Sequence, residues 1–289
     1  MADTVASAIR EAATRLSGTS DTARLDAELL MAHALGCSRS DMLLRRMQDA
    51  APAGFASLVD RRAACEPVAY IIGAQEFYGR SFAVTPDVLI PRGDSESVVE
   101  AALNAVLNAA PEAPRILDCG TGSGALLLTL LAELPDAQGV GIDASAPAVE
   151  VARGNAARLG MTGRADIRVA DWTVPGWADD LGQFDLIIAN PPYVESDAQL
   201  DADVRDYEPA SALFAGPDGL DDYAILIPQL PKLLMKNGIA VLEIGSTQAE
   251  MVSEIAQQHG FAATAHKDLG QRDRALLLRL RLGKAESSG

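Results

Sequence analysis

The segment Arg115-Ile116-Leu117-Asp118-Cys119-Gly120-Thr121-Gly122-Ser123-Gly124 decides the fold of this 289-residue chain. Its first half is an apolar run typical of a buried strand, and its second half alternates glycine with small residues ahead of an apolar helical stretch. Because glycine has no Cβ, it permits a sharp turn and lets a ligand approach the backbone closely. The helix N-terminus that follows offers N–H groups. The segment therefore predicts a ligand-binding turn between a strand and a helix, which we call the glycine turn (residues 120–124).

Around the glycine turn, strand and helix patterns alternate from about residue 95 onward. Alternating βα units predict a parallel sheet that is covered by helices on both faces. The last two strands follow each other without a helix, so they predict a closing hairpin and one antiparallel strand. We expect the tail 284–289 to fray. The candidate strands are 115–119, 139–142, 166–170, 184–189, 238–244, 262–266 and 275–280.

The chain ahead of this α/β region divides into two further parts. Residues 1–74 show apolar residues at helical spacing, which predicts a small helical domain. The period changes at Tyr70-Ile71-Ile72-Gly73, which leads into the next part, and residues 75–90 predict a β-hairpin linker that turns near Gly79-Arg80. Val88-Leu89-Ile90-Pro91-Arg92 is expected to close this hairpin. The third domain is then 91–289.

Composition excludes several classes of protein. The net charge is −16, which disfavours long-lived binding to nucleic acid phosphates. Three cysteines at scattered positions and three histidines without ligand spacing predict no metal site. The N-terminus lacks the basic start of a secretory signal, and no stretch approaches the ~20 apolar residues that span a bilayer. We therefore expect a cytoplasmic protein that contacts no membrane.

Two further motifs suggest the ligand of the glycine turn. Asp143 ends the next strand, 25 residues beyond Asp118, where an acid can accept both ribose hydroxyls of a nucleoside. A nicotinamide enzyme would share that acid, but the spacing G-x-G-x-G after Asp118 favours S-adenosylmethionine over the G-x-G-x-x-G of dinucleotide folds. After the third strand, the indole of Trp172 can stack on adenine while Asp171 takes the exocyclic amine.

The strand 184–189 ends in Asn190-Pro191-Pro192-Tyr193, which we call the proline corner (residues 190–193). Two prolines lock φ and remove two N–H donors, so backbone carbonyl oxygens stay available. The side-chain oxygen of Asn190 and the carbonyl of Pro191 can accept both hydrogens of a planar NH₂ group. The flat face of Tyr193 can hold that group in plane.

The proline corner fits one chemical problem, the methylation of an amide-type nitrogen. Such a nitrogen is a poor nucleophile because its lone pair is delocalised, and it is too weak an acid for an ordinary base. Two fixed acceptors orient its hydrogens, and orientation with preorganised dipoles supplies the rate without a metal. The pattern predicts an amino-methyltransferase that converts S-adenosylmethionine to S-adenosyl-L-homocysteine. Three alternatives remain open. The enzyme could methylate adenine or guanine in a nucleic acid, or a glutamine in a protein such as a ribosomal protein. The chain could also be a non-catalytic binding module with the same fold.

The proline corner and the glycine turn together resemble the amino-methyltransferases that modify adenine N6, guanine N2 or glutamine N5. Further motifs make the chain similar to the bacterial release factor glutamine methyltransferases from about residue 20 to 281. These motifs are Pro67-Val68-Ala69-Tyr70-Ile71-Ile72-Gly73, Glu76-Phe77-Tyr78-Gly79, Leu89-Ile90-Pro91-Arg92-Gly93-Asp94-Ser95-Glu96, Tyr207-Glu208-Pro209, Ala212 to Leu220, and Leu242-Glu243-Ile244-Gly245.

The resemblance implies a class I methyltransferase fold, a doubly wound, mostly parallel sheet with one antiparallel strand, beside a helical domain that docks the substrate. It implies methylation of N5 of the glutamine in the Gly-Gly-Gln motif of class 1 peptide chain release factors. We expect the protein to be a monomer. Gly93 and Ile244 depart from the family, which has proline and often histidine there. The implied cofactor residues are Gly120, Thr121, Gly122, Ser123, Gly124, Asp143, Asp171, Trp172 and Asn190, and the implied catalytic residues are Asn190, Pro191, Pro192 and Tyr193.

Overall fold

The computed structural model describes residues 3–109 and 111–281, so the tail 284–289 lies outside the described residues. The chain forms two compact units. The helical unit comprises the described part of 1–74 together with 84–86 and 200–208, and the sheet unit comprises most of the remainder. No helix within the described ranges is long and apolar enough to cross a membrane.

The regular elements follow one another as the alternating pattern predicted. Short 3-10 turns lie at Gly93–Ser95, Ala210–Ala212 and Ile227–Gln229, and a π-helical turn lies at Met42–Arg46. The other elements are α1 (Val5–Leu16), α2 (Ala23–Leu35), α3 (Arg39–Asp41), α4 (Phe55–Ala63), α5 (Val68–Ile72), β1 (Ala74–Phe77), β2 (Arg80–Ala83), α6 (Glu96–Ala109), β3 (Arg115–Cys119), α7 (Ala125–Glu133), β4 (Gln138–Asp143), α8 (Ala146–Arg158), β5 (Ala165–Val169), β6 (Phe184–Ala189), α9 (Ala202–Tyr207), α10 (Asp221–Leu226), α11 (Leu230–Leu233), β7 (Leu234–Glu243), α12 (Ala249–Gln258), β8 (Phe261–Lys267) and β9 (Asp273–Leu280).

The helical unit is built on the apolar faces of α1, α2, α4 and α5. Thr4 begins α1 by accepting a hydrogen bond from the backbone N–H of Ser7, and Gly36 ends α2 in the left-handed conformation. Each fully buried aliphatic side chain stabilises such a core by roughly 1.5–3 kcal/mol. The core residues include Val5, Ile9, Leu16, Leu30, Met31, Met42 and Ile71.

Helix α5 shows that the helical period extends further than the sequence suggested. Tyr70, Ile71 and Ile72 lie in α5, directly ahead of the hairpin. Pro67 presets the chain at the start of this helix, and Ile71 packs into the helical core. The apolar run is therefore a buried helical turn rather than the approach to a strand.

A buried ion pair joins α9 to the rest of the helical unit. Arg62 donates a hydrogen bond to Asp26 at 2.7 Å, and both side chains are buried. The guanidinium of Arg62 also lies 3.5 Å from the carboxylate of Asp203, and the Tyr207 hydroxyl donates to the carbonyl of Ala64 at 2.8 Å. The segment 200–208 therefore belongs to the helical unit although it follows the proline corner in sequence.

The sheet unit contains seven strands in the order β5-β4-β3-β6-β7-β9-β8. Neighbouring strands from β5 to β7 are parallel, whereas β9 is antiparallel to both β7 and β8. Helices α6, α7 and α8 pack on one face, and α10, α11 and α12 pack on the other. The predicted α/β class is confirmed: this is the class I methyltransferase fold, a doubly wound sheet with one antiparallel strand.

The hairpin of β1 and β2 is shorter than predicted. It turns at Tyr78 and Gly79, which both have positive φ, and this turn matches the twist of the two strands. The prediction that residues 88–92 close the hairpin is wrong, because that segment forms no strand. Pro86 precedes this segment and Pro91 lies within it, and because neither has an N–H to donate, both disfavour a hydrogen-bonded ladder here.

Candidate active site

The register of the sheet brings three turns together at one edge. Cys119 at the end of β3 pairs with Ile142 on one side and with Ala189 on the other. Adjacent strands lie about 4.8 Å apart. Gly120, Asp143 and the proline corner therefore begin side by side at the carboxyl edge of the sheet, where ligands bind in open α/β folds.

The glycine turn is held rigidly by its own backbone. Gly120, Gly122 and Gly124 have φ of 74, 53 and 82°, the left-handed region that favours glycine. The N–H groups of Gly120 and Thr121 both donate to the carbonyl of Ile142 on β4. The N–H of Gly122 donates to Asp143 at 2.9 Å. Most N–H groups of the turn are thus hydrogen-bonded within the protein. A ligand would therefore mainly pack against the backbone of the turn.

Because glycine has no Cβ, the space around each glycine shows where a ligand can fit against this turn. A Cβ at Gly124 would lie 2.9 Å from a methyl of Leu128, and one at Gly120 would lie 3.1 Å from the ring of Trp172. A Cβ at Gly122 would meet no atom of the described residues within 4 Å. Gly122, whose N–H donates to Asp143, is therefore the point of the turn that leaves room for a cofactor.

Asp118 lies buried beneath the glycine turn. Its Oδ2 accepts a hydrogen bond from the Thr121 hydroxyl at 2.7 Å, whereas its Oδ1 has no partner within the described part of the chain. Burial raises the pKa of Asp118 to about 7. The Thr121 hydroxyl points into the protein, and Ser123 is also buried, so both side chains shape the turn from below.

Asp143 forms the second side of the candidate cofactor site. Its Oδ2 accepts from Gly122 and its Oδ1 accepts from the N–H of Ser145, each at 2.9 Å. Burial raises the pKa of this carboxyl group, and the two backbone hydrogen bonds oppose that rise. Each carboxylate oxygen can accept a further hydrogen bond. Asp143 can therefore receive ribose hydroxyls while it holds the glycine turn in place.

Trp172 stands beside Gly120, and its indole N–H donates to Asp222 at 3.1 Å. Asp222 comes from α10, and sequence reasoning did not single it out. The structure places Asp171 next to Trp172, where its Oδ1 accepts from the N–H and the hydroxyl of Thr173. The indole is thus oriented by a carboxylate, and Asp171 shapes the loop that carries it.

The proline corner keeps its acceptors available. Across the described ranges, neither the side chain of Asn190 nor the carbonyl of Pro191 forms a hydrogen bond. The chain beyond is anchored, because the carbonyl of Tyr193 accepts from Gln248 at 3.0 Å and the N–H of Val194 donates to Leu213 at 2.8 Å. A rigid turn therefore carries two acceptors that no protein group has taken.

The hydroxyl of Tyr193 lies in a polar network that sequence reasoning missed. It donates to Glu243 at 3.4 Å and accepts from Arg274 at 3.3 Å. Burial, together with the nearby Glu243, raises the pKa of Tyr193 to about 12. Burial also raises the pKa of Glu243 to about 6. The motif Leu242-Glu243-Ile244-Gly245 at a strand end was the one sequence signal that could have indicated this network.

Comparison with known proteins identifies the family of the chain. Residues 7–73 match the family model of the PrmC N-terminal domain, and residues 112–274 match a methyltransferase domain. The chain is 42% identical over 282 residues to the release factor glutamine methyltransferase of Moorella thermoacetica, with 95% of this chain and 98% of that protein covered. It is 42% identical to the enzyme of the same name from Nitratidesulfovibrio vulgaris (85% and 84% covered) and 39% identical to that from Agrobacterium fabrum (88% and 90% covered). The chain therefore belongs to the release factor glutamine methyltransferase family, whose cofactor is S-adenosylmethionine.

Proposed function

We propose that this enzyme methylates N5 of the glutamine in the Gly-Gly-Gln motif of class 1 peptide chain release factors. The observation that carries the proposal is the position of the proline corner, with its available acceptors, directly beside the glycine turn. Membership of the family supports the glutamine as target. The net charge of −16 supports a protein substrate rather than a nucleic acid.

The candidate cofactor residues fit S-adenosylmethionine. The space beside Gly122 accommodates a ligand at the turn, and Asp143 has acceptor capacity for the ribose. Trp172, oriented by Asp222, presents an indole for the adenine. When bound, the cofactor supplies an electrophilic methyl group on a sulfonium. The residues that would hold it are Gly120, Thr121, Gly122, Ser123, Gly124, Asp143, Asp171, Trp172 and Asn190.

The proline corner would activate the glutamine by orientation. The Asn190 side-chain oxygen and the Pro191 carbonyl accept the two amide hydrogens, which holds the nitrogen towards the methyl donor. The two acceptors would stabilise the positive charge that develops on the nitrogen as it takes up the methyl group, and the proton that the nitrogen then loses would pass to water. Pro192 stiffens the turn, and the ring of Tyr193 holds the carboxamide in plane.

We infer that three segments of the chain have different roles. Residues 1–74 form the domain that docks the release factor, 75–90 form the linker, and 91–289 form the methyltransferase domain, except that segments 84–86 and 200–208 belong to the helical unit. The match of residues 7–73 to an N-terminal domain model of this family supports the first assignment. We further propose that the enzyme acts as a monomer in the cytoplasm, where translation takes place, and makes no lasting contact with nucleic acid.

Transfer of a radiolabelled methyl group to purified release factor tests this function. We expect labelling of the wild-type factor and none of a factor whose Gly-Gly-Gln glutamine is changed to alanine. Asn190→Ala should abolish labelling, while Asn108→Ala, an exposed asparagine on α6, should not alter it. Labelling of the alanine factor would place the methyl group elsewhere and contradict the proposal.

A further inference from the structure

We propose that Glu243 and Arg274 are positioning residues that set the orientation of the Tyr193 ring at the proline corner. The inference rests on the proposed function, because it assigns a role to side chains behind the glutamine site. Neither residue lies in the motifs that hold the cofactor or the amide. Both reach the corner through the topology of the sheet.

The register of three strands explains how the two residues arrive there. Ala189 of β6 pairs with Leu242 of β7, so Glu243 stands level with Asn190. Glu243 in turn pairs with Ala275 of β9, the residue that follows Arg274. Because β9 runs antiparallel, its beginning lies at the edge where the parallel strands end. The antiparallel direction of β9 therefore places the guanidinium of Arg274 at the carboxyl edge of the sheet.

The two residues use both hydrogen-bonding capacities of one hydroxyl. Tyr193 donates to the carboxylate of Glu243 and accepts from the guanidinium of Arg274. A phenol can make both bonds at once, whereas a phenylalanine ring could make neither. The distances of 3.4 and 3.3 Å are at the long end for hydrogen bonds, so each contact orients the ring without locking it strongly.

Arg274 is itself fixed on several sides. Its guanidinium lies 3.2 Å from the carboxylate of Asp94 and donates to the carbonyl of Ile244 at 3.3 Å. Asp94 also accepts from Arg272 at 2.9 Å. Glu243 is held in the same way by a hydrogen bond with Ser95. The turn Gly93–Ser95 therefore braces both residues that contact the Tyr193 hydroxyl.

The network also contains two buried atoms without hydrogen bonds, although Nε of Arg274 lies 4.0 Å from the carboxylate of Asp268. Glu243 is 1% exposed and Arg274 is 8% exposed. Among the described residues, Oε2 of Glu243 and Nε of Arg274 form no hydrogen bond. Unsatisfied buried polar atoms are rare in folded proteins and destabilise them. Their retention directly behind the proline corner points to a role in orienting Tyr193.

A double-mutant cycle on the methyl-transfer reaction tests this role. We expect Tyr193→Phe and Glu243→Gln each to lower kcat about tenfold, while KM for S-adenosylmethionine changes less than twofold. The double variant should be no slower than Tyr193→Phe alone, because, among the described residues, Glu243 contacts Tyr193 through this hydroxyl. Arg274→Lys, which keeps the charge, should retain more activity than Arg274→Gln.

Matched controls come from the same elements of the fold. Arg279→Gln on β9 and Glu250→Gln on α12 change exposed residues of the same types, and we expect wild-type kcat from both. Thermal unfolding of each variant checks that the fold is intact. Should Glu243→Gln not fold, Tyr193→Phe removes a single oxygen atom and still decides whether the hydroxyl matters.

The outcomes separate this inference from the proposed function. If the wild-type enzyme does not methylate the Gly-Gly-Gln glutamine, the proposed function fails. If it does, but the losses from Tyr193→Phe and Glu243→Gln multiply in the double variant, the two residues act independently and the inference is refuted. A wild-type kcat for Tyr193→Phe would refute it as well.

Discussion

Replacing Asp118 by asparagine should make the enzyme more stable at neutral and alkaline pH but not in acid. Asp118 is completely buried beneath the glycine turn, and Asn can still accept the hydrogen bond from Thr121. The hydrogen bond from Thr121 and the interaction with the backbone N–H of Leu127 only partly replace the water that the ionised carboxylate loses on folding. Burial therefore raises the pKa of this carboxyl group to about 7 from an ordinary value of 3.8.

The size of the effect follows from the difference between the folded and unfolded pKa. Between about pH 4 and 7 the folded chain keeps a proton on Asp118 that the unfolded chain has released. The wild-type free energy of unfolding therefore decreases across this window, by about 1.4 kcal/mol per pH unit from this group. A rise from 3.8 to about 7 corresponds to roughly 4 kcal/mol in all. Asp118→Asn removes this dependence, so its advantage over the wild type grows up to about pH 7 and then levels off.

Urea unfolding at pH 5 and pH 8, followed by tryptophan fluorescence, measures this difference. Both tryptophans of the chain, Trp172 and Trp177, lie in the sheet unit, so the signal reports on the unit that contains Asp118. Asp136→Asn is the matched control, because this aspartate is exposed and keeps its hydration when the protein folds. A difference between Asp118→Asn and the wild type that is the same at both pH values would refute the reasoning.

Three further substitutions test the site and the helical unit. Asn190→Ala should leave binding of S-adenosylmethionine within a few-fold by calorimetry but abolish transfer, and a near-wild-type rate would remove the amide-orienting mechanism. Asp143→Ala should weaken cofactor binding by about 1.5–3 kcal/mol, as expected for the loss of hydrogen bonds to a charged group; an unchanged Kd would show that the ribose lies elsewhere. Arg62→Ala should lower the free energy of unfolding of the helical unit by about 3–5 kcal/mol, because it leaves the buried carboxylate of Asp26 unpaired. Arg61→Ala, at an exposed pair with Glu66, should cost at most about 1 kcal/mol by circular dichroism, and equal losses would contradict this account.

The strands of the sheet could be predicted because burial on both faces demands continuous apolar runs. In β6 the apolar residues Phe184 and 186–189 are all fully buried, and polar or turn residues bound the run on each side. The turns at the carboxyl edge were equally visible, since glycine and proline act through their own backbones. Local chemistry therefore revealed the glycine turn and the proline corner before any tertiary contact was known.

The same reasoning fails where a short segment takes its conformation from distant packing. The run Tyr70-Ile71-Ile72 has the residues of a strand, but burial of Ile71 among the helices of the first unit makes it helical. At residues 88–92 the apolar run Val88-Leu89-Ile90 resembles a strand, yet Pro86 before it and Pro91 within it disfavour pairing. Periodicity over four or five residues does not distinguish these possibilities.

The contacts of Glu243 and Arg274 with Tyr193 could not be predicted from the sequence for a different reason. Glu243 and Arg274 are 50 and 81 residues away from Tyr193 along the chain, and nothing local marks either one as its partner. Their meeting depends on the direction of β9. If β9 ran parallel to β7, its beginning would lie at the opposite edge of the sheet, and Arg274 could not reach the hydroxyl. The reversed strand, which the sequence predicts only as a topological feature, thus has a chemical consequence at the site where the glutamine is proposed to bind.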